Sequence, residues 1–319
     1  MIYITMIYIK PNKGRLGNQM FEYAFTYMLS LKLGTIVRSP QINGLPHLMH
    51  VVTPEKEYPT EFDVTIHDSN VFDVLKNISR LRNKRILVNG YFESYEFVKD
   101  IRQQLYESFA LDQIKLTAYP TGSNTLGIHV RLGDIREKTS NSHHRPCPID
   151  YYKNIIKNGY DTLYCLTDSP EDSTIKHLQE SYPEMQLIHQ ESPVQDMAFL
   201  SRCDTIVMSQ STFSWWAAFL SNAKTIHFPI QGHWKPNSHL ANNKYTLRMD
   251  NDPRVVHHEL ESDSPKVEFY HVSRARDIDV TTMVLCIVLV GFVAFFLLGK
   301  RKRYAGRKSL RNVSNFKFF

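Results

Sequence analysis

Cysteine is scarce in this 319-residue chain: four residues, with no CxxC pair and no Cys/His spacing of the kind that holds a metal. That excludes a disulfide-built scaffold and a zinc module. Cys286 lies in an apolar stretch, so Cys147, Cys165 and Cys203 allow one bridge at most; Cys165 and Cys203 sit in strand-like contexts that suit buried thiols. Glycine is also sparse, at 13 residues, and neither GxGxxG nor GxxxxGK[ST] occurs. Dinucleotide-fingerprint and P-loop readings lose their support. Acidic residues are missing from 300–319, which carries eight of the 38 Lys and Arg. The rest of the chain has 30 basic against 32 acidic residues, so the formal charge of +6 belongs to the tail. No nucleic-acid partner is implied. The apolar start, Met1 to Ile9, has no basic segment ahead of it and no small-residue cleavage site, and reads as a strand. There is no internal repeat.

What is present is a large apolar fraction, 42%, in a strand–helix alternation that runs through the first 250 residues. An α/β architecture in two domains is expected, with 1–120 the first, 121–250 the second, and the polar stretch 111–124 the linker. The first domain starts with strand 2–9, a loop Lys13-Gly-Arg-Leu-Gly-Asn18, and a helix over 19–33 with Asn18 as cap candidate and Gly34 as stop. A helix is expected over 96–108. Residues 251–279 are polar without a core period and suit a stalk. Val280 to Leu298 is free of charge and abuts the basic cluster from Lys300, which predicts a transmembrane helix at 280–299 rather than a buried core helix. The positive-inside rule then puts 300–319 in the cytosol and the main body on the lumenal side of a single-pass membrane protein. Asn77-Ile78-Ser79 is a glycosylation acceptor in that orientation. How the N-terminus would cross is left open between a targeting segment upstream and insertion directed by the C-terminal helix.

The most informative stretch is CDTIVMSQSTFSWWAAFL, Cys203 to Leu220. It reads as a buried strand, a tight polar turn capped by Ser211 or Thr212, and a helix apolar on all faces. Such a turn aims backbone N–H groups and a helix dipole at one point beyond the strand end, an anion site. A serine-capped core helix that binds nothing explains the same residues. Two further strand ends sharpen the choice. Strand 126–130 carries His129 and delivers Arg131, whose guanidinium can grip a phosphate bidentately, with Gly133-Asp134 turning the chain away. Strand 162–166 delivers Asp168, where a carboxylate can accept from ribose hydroxyls or a base. Arg131 with Asp134 as a structural ion pair, His129 as a satisfied core histidine, and Asp168 as the cap of the next helix are the plain alternatives. Three such ends in one domain point to a nucleotide diphosphate site that needs no metal.

Four segments in order resemble the α-1,2-fucosyltransferases of glycosyltransferase family 11: GRLGNQMFEYA at 14–24, GYFESYEF at 90–97, GIHVRLGD at 127–134 and DMAFLSRCDTIVMSQSTFSWWAAFL at 196–220, with LTDSPED at 166–172 a shorter fifth. The likeness covers residues 5–250. It implies a GT-B-like fold of two Rossmann-like domains facing across a cleft, with the acceptor side in the first and the donor in the second. It further implies GDP-β-L-fucose as donor substrate and inverting transfer to the 2-hydroxyl of a terminal β-galactoside on a glycoprotein, glycolipid or oligosaccharide. No cofactor and no metal are expected, and the Golgi is the expected compartment. On the matching motifs, Arg131 holds the β-phosphate, and His129 and Asp134 shape that site as the other catalytic residues. Asp168 faces the guanosine, and Ser211, Thr212 and Phe213 line the pyrophosphate turn. Gly14, Arg15, Gly17, Asn18 and Gln19 approach the donor from the opposite lip.

The chain departs from the family pattern at Leu132, where a second arginine is common, and at Glu93, where glutamine is usual. Strand alternation puts Leu132 on the face of Val130, away from Arg131. Those departures leave room for a transferase of another nucleotide sugar, or for an inactive membrane-anchored glycan-binding paralogue. Candidates to take the acceptor's proton are Asp134, Glu93, Glu22 and His129, and the sequence does not rank them.

Overall fold

A computed structural model of the chain describes residues 5–10, 14–45, 48–49, 51–52, 59–136, 145–157, 159–234 and 246–260. Its first part runs β1 (Met6–Ile9), α1 (Leu16–Leu33), β2 (Val37–Arg38), β3 (Val51–Val52), β4 (Val64–Ile66), α2 (Val71–Lys76), β5 (Arg85–Val88) and α3 (Arg102–Phe109). The strands form one sheet in the order β3-β2-β1-β5-β4, every pair parallel. A second part runs β6 (Thr125–Val130), α4 (Gly133–Arg136), α5 (Ile149–Ile156), β7 (Thr162–Thr167), α6 (Ser173–Ser181), β8 (Gln186–Ile188), α7 (Pro193–Leu200), β9 (Thr205–Val207), α8 (Thr212–Leu220), β10 (Thr225–Ile230) and β11 (Val255–Glu259). Its sheet, β11-β10-β9-β6-β7-β8, is also parallel throughout. This is the α/β, two-sheet architecture expected of the GT-B-like reading.

Central strands are covered on both faces, so β6 is buried at all six positions, as parallel strands between helices must be. One hydrophobic cluster extends from Ile7 to Met249 and joins the two parts. At its centre Phe21 of α1 sits 4.8 Å from Trp215 and 4.6 Å from Trp216 of α8, ring centre to ring centre. Both tryptophans are fully buried, and each finds a partner for its indole N–H: Trp215 donates to the Leu247 carbonyl at 2.7 Å and Trp216 to the Gly17 carbonyl at 2.9 Å. The far end of α8 is held by two arginines. Arg102 donates to the Phe219 and Ser221 carbonyls at 2.7 Å each, and Arg254 to Ser221 at 2.6 Å. Cations at the last carbonyls of a helix complement its dipole. The helix that carries the polar turn is therefore fixed at its rear.

Several expectations change. Helix α1 starts at Leu16, not after Asn18; its cap position is Arg15, with no side-chain cap bond, while Gly34 does end it in the left-handed region at φ 64°. The expected helix over 96–108 is two 3-10 turns, Tyr95–Phe97 and Lys99–Ile101, followed by α3. Residues 251–260, expected as the start of the stalk, instead carry β11, an edge strand of the second sheet paired along Ile226–Ile230. Its residues are half-buried or exposed, which is why no core period betrays it. Cys147, Cys165 and Cys203 are buried free thiols, and burial pushes each up to about 12. The remaining stalk, the spanning helix at 280–299 and the basic tail at 300–319 lie outside the described residues. Among the described residues no helix is long and apolar enough to cross a membrane.

Candidate functional site

In parallel sheets, loops at the carboxyl ends of strands carry ligands. Here those loops from the two sheets meet. β6 delivers Arg131, β7 delivers Asp168, β9 leads through Ser209 to Ser211, and β1 leads to Arg15 at the start of α1. Arg131, only 17% exposed, donates from a terminal guanidinium nitrogen to Asp134 Oδ1 at 2.5 Å, and its Nε lies 3.8 Å from Asp168 Oδ2. Arg15 reaches across from the first sheet to the same two carboxylates, 3.5 Å from Asp134 Oδ1 and 3.8 Å from Asp168 Oδ2. Two cations and two anions thus share one cluster at the junction.

Asp168 has a structural task as well as an electrostatic one. Its Oδ1 accepts the backbone N–H of Leu132 at 2.9 Å and of Gly133 at 3.1 Å, which sets the turn that follows Arg131. A Cβ at Gly133 would stand 2.7 Å from Asp168 Oδ2, so a larger residue there would have to displace the carboxyl that sets the turn. Leu132 packs with Val130 in a buried cluster with Cys165 and Val207, on the side away from Arg131. The residue in the place of the usual second arginine therefore contributes its backbone N–H to Asp168 and its side chain to the core.

His129 lies one pleat behind Arg131. Its Nδ1 is 2.7 Å from Ser209 Oγ, its ring stacks on Phe213 at 5.0 Å, and its carbonyl accepts from the Tyr152 hydroxyl at 3.1 Å. Burial, reinforced by the Arg131 cation, pushes its pKa down to about 3, so the ring is neutral at physiological pH. It orients Ser209 and Phe213 and carries no charge of its own.

The polar turn is built as the N-terminus of α8. Ser211 Oγ accepts the N–H of Phe213 at 3.3 Å, the cap that a serine before an apolar run specifies. Ser214, fully buried, donates to the Ser209 and Ser211 carbonyls at 3.1 and 3.2 Å and closes the turn from beneath. The N-terminus of α1 abuts it. The Thr212 hydroxyl donates to Asn18 Oδ1 at 2.9 Å, and a Cβ at Gly17 would meet Thr212 Oγ1 at 2.6 Å and the Phe213 nitrogen at 2.9 Å. Gln19 Nε2 donates back to the Gly14 carbonyl at 2.8 Å and holds the glycine loop. Two helix N-termini therefore meet beside two arginines whose charges Asp134 and Asp168 balance, and the helix dipoles and first-turn N–H groups are what favour an anion there.

The structure thus brings Arg131, Asp134, His129, Asp168, Ser211, Thr212 and Phe213 to one place, with Gly14, Arg15, Gly17, Asn18 and Gln19 against them. Sequence reasoning missed Ser209, though it sits in the polar turn, and Asp68, which no motif marks. Asp68, just past β4, accepts the N–H groups of Tyr91 at 3.0 Å and Phe92 at 2.8 Å. Among the described residues no group of three or more His, Cys, Asp or Glu is placed to hold a metal ion.

Residues 72–246, more than half of the chain, match the family described as Glycosyl transferase family 11, and the chain belongs to that family. It is 23% identical to galactoside 2-alpha-L-fucosyltransferase SEC1 of Bos taurus, over 67% of this chain and 64% of that protein. It is also 23% identical to the O-antigen biosynthesis glycosyltransferase WbnK of Escherichia coli, over 74% of this chain and 96% of that one. The chain thus spans just under two thirds of the length of the bovine relative. Similar solved structures include that of an Arabidopsis thaliana FUT1 mutant in complex with GDP, at 14% identity and a TM-score of 0.49, covering 70% of this chain and 71% of that one. The NodZ alpha-1,6-fucosyltransferase soaked with GDP-fucose follows at 13% identity and a TM-score of 0.46, covering 69% and 93%.

Proposed function

We propose that this chain is an inverting fucosyltransferase that moves L-fucose from GDP-β-L-fucose to the 2-hydroxyl of a terminal β-galactoside. The observation that carries it is the convergence of the α1 and α8 N-termini on Arg131 and Arg15, in a member of glycosyltransferase family 11. The names of the relatives supply the sugar and the acceptor.

In this reading the donor's pyrophosphate lies against Ser211, Thr212 and Arg131. As the bond from the anomeric carbon to the β-phosphate oxygen breaks, charge builds on that phosphate. Arg131, largely enclosed, and the first N–H groups of α8 stabilise it without reorganising, because Asp168 and Asp134 already hold the guanidinium in place. His129 and Phe213 wall the site, and Arg15 on the opposite lip closes it. Fixed cations do the work that a divalent metal would do, so a chelator is expected to leave the rate unchanged. The domains 1–120 and 121–250 supply the two lips, and the 280–299 segment anchors them with the body lumenal, in the Golgi.

The test is the full chain incubated with GDP-fucose and lactose-type β-galactosides, with the product linkage read by NMR. An α-1,2-linked fucose is the expected product. Transfer from a UDP or CDP sugar instead, or binding of glycan without any transfer, contradicts the proposal.

A further inference from the structure

β9 ends at Val207 and α8 starts at Thr212, so residues 208–211 set where the N-terminus of α8 stands. Ser209 is held by His129 on one side and by Ser214 from beneath. Gln210, between Ser209 and Ser211, is buried, and its side-chain amide is bound inside the fold. Gln210 Nε2 donates to the Gln231 carbonyl at 3.1 Å, Gln231 Nε2 donates to the Arg145 carbonyl at 2.8 Å, and the Arg145 N–H donates to Gln210 Oε1 at 3.4 Å. The three bonds close a ring.

Gln231 directly follows β10, and Arg145 lies on the approach to α5, so the ring fastens the turn after β9 to two neighbouring segments. The buried Cys147 sulfur adds to the same junction, accepting from Gln231 Nε2 at 3.4 Å and from the Gln210 backbone N–H. Each glutamine amide donates to a backbone carbonyl here, and Gln210 also accepts a backbone N–H. A hydrocarbon side chain of the same length can do neither. Opening such a ring leaves buried polar groups without partners, while the closed ring holds all three segments in one arrangement. The rear of α8 is fixed by Arg102 and Arg254, and Thr212 is tied to Asn18. The ring fixes the chain that enters the helix.

We propose that Gln210, through its ring with Gln231 and Arg145, is the positioning residue that holds the α8 N-terminus where the donor's diphosphate binds; this rests on the fucosyl-transfer reading above. Gln210 acts through its neighbour Ser211 and the first N–H groups of α8, not by touching the donor. Donors held in place beforehand stabilise charge on the leaving phosphate without reorganising. Opening the ring therefore weakens binding of the donor and leaves the galactoside site, on the other lip, as it was.

The test compares the full chain with Gln210→Met, Gln231→Met and the double variant, by GDP titration, steady-state kinetics and melting temperature. Gln210→Met should raise the GDP Kd and the GDP-fucose KM about tenfold, with the galactoside KM within about twofold of wild type. Gln231→Met, which breaks the ring at the Arg145 carbonyl, should weaken GDP in the same direction and serves as the test where Gln210→Met does not fold. In the double variant the losses should not multiply, because either change opens the same ring. A folded Gln210→Met or Gln231→Met with wild-type GDP affinity, or a lowered melting temperature with an unchanged donor KM, overturns the positioning role and leaves the transferase reading standing. Losses that multiply in the double variant overturn the ring as a unit. A wild type that binds no GDP overturns the transferase reading itself.

Discussion

The Thr212 hydroxyl donates to the Asn18 side-chain carbonyl at 2.9 Å, and with that one bond the N-terminus of α8 is joined to the N-terminus of α1, 194 positions away in the chain. Thr212→Val removes the donor while keeping the shape. A net loss of about 1 kcal/mol in stability is expected, with GDP binding weakened about tenfold because the two helix starts no longer hold a common register. Urea denaturation and GDP titration of the same preparation measure the two effects.

Gly17 is the closest point of that contact. An added Cβ would be 2.6 Å from Thr212 Oγ1 and 2.7 Å from the Thr212 carbonyl carbon, and a backbone atom cannot rotate away. Gly17→Ala should therefore cost about 1–3 kcal/mol as overpacking and lower the melting temperature, which thermal denaturation measures.

Stability should fall as pH rises above neutrality. Burial raises the folded-state pKa of Glu22 from 4.5 to about 8. A carboxyl that holds its proton more tightly when folded contributes stability that is fully present below 4.5 and lost as pH rises through 8. Glu93 acts in the same direction only up to about 7. His129 and His227, lowered by burial to about 3 and about 4, cost stability only as pH falls below 6.5. Between pH 7 and 8 Glu22 is the largest single contributor, with Glu93 finishing its titration and the buried thiols only beginning to act. Over that interval wild type should lose about 1 kcal/mol more than Glu22→Gln, which still accepts from Gly90. Chemical denaturation at the two pH values reads this directly.

Asn77 is exposed, at the end of α2, and opens the Asn77-Ile78-Ser79 acceptor sequence. If the body is lumenal, as proposed above, the full chain expressed in a eukaryotic secretory pathway should carry one glycan there. A mass shift removed by endoglycosidase and absent from Asn77→Gln is the expected result.

Much of the second sheet was legible because its physics is local. β6 is a short apolar run ending in a charge, and Ser211 before Phe213 and Ser214-Trp-Trp is a cap before a buried helix. Asn18 misled because its side chain is used across the junction, on Thr212, and not on its own helix. The expected helix over 96–108 holds from Arg102 on, as α3, but its start does not once the buried residues are placed. Tyr95 and Phe97 both face inward, yet they stand about 200° apart on an α-helix, so the chain takes 3-10 turns there. Asp68 was invisible for a different reason. Its work is to bind the backbone of Tyr91 and Phe92, more than twenty residues on, and a backbone partner leaves no mark in side-chain pattern.

Arg131 carries the proposed function in one residue: on that reading its guanidinium, held by Asp134 and Asp168, is a fixed charge for the donor's diphosphate. GDP titrated into the full chain and into Arg131→Ala by calorimetry, with melting temperatures taken alongside, measures it. The account predicts binding of GDP by wild type and a loss of at least 30-fold in the variant, about 2 kcal/mol, with the unliganded fold still cooperative. Equal GDP affinity in the two proteins would contradict it.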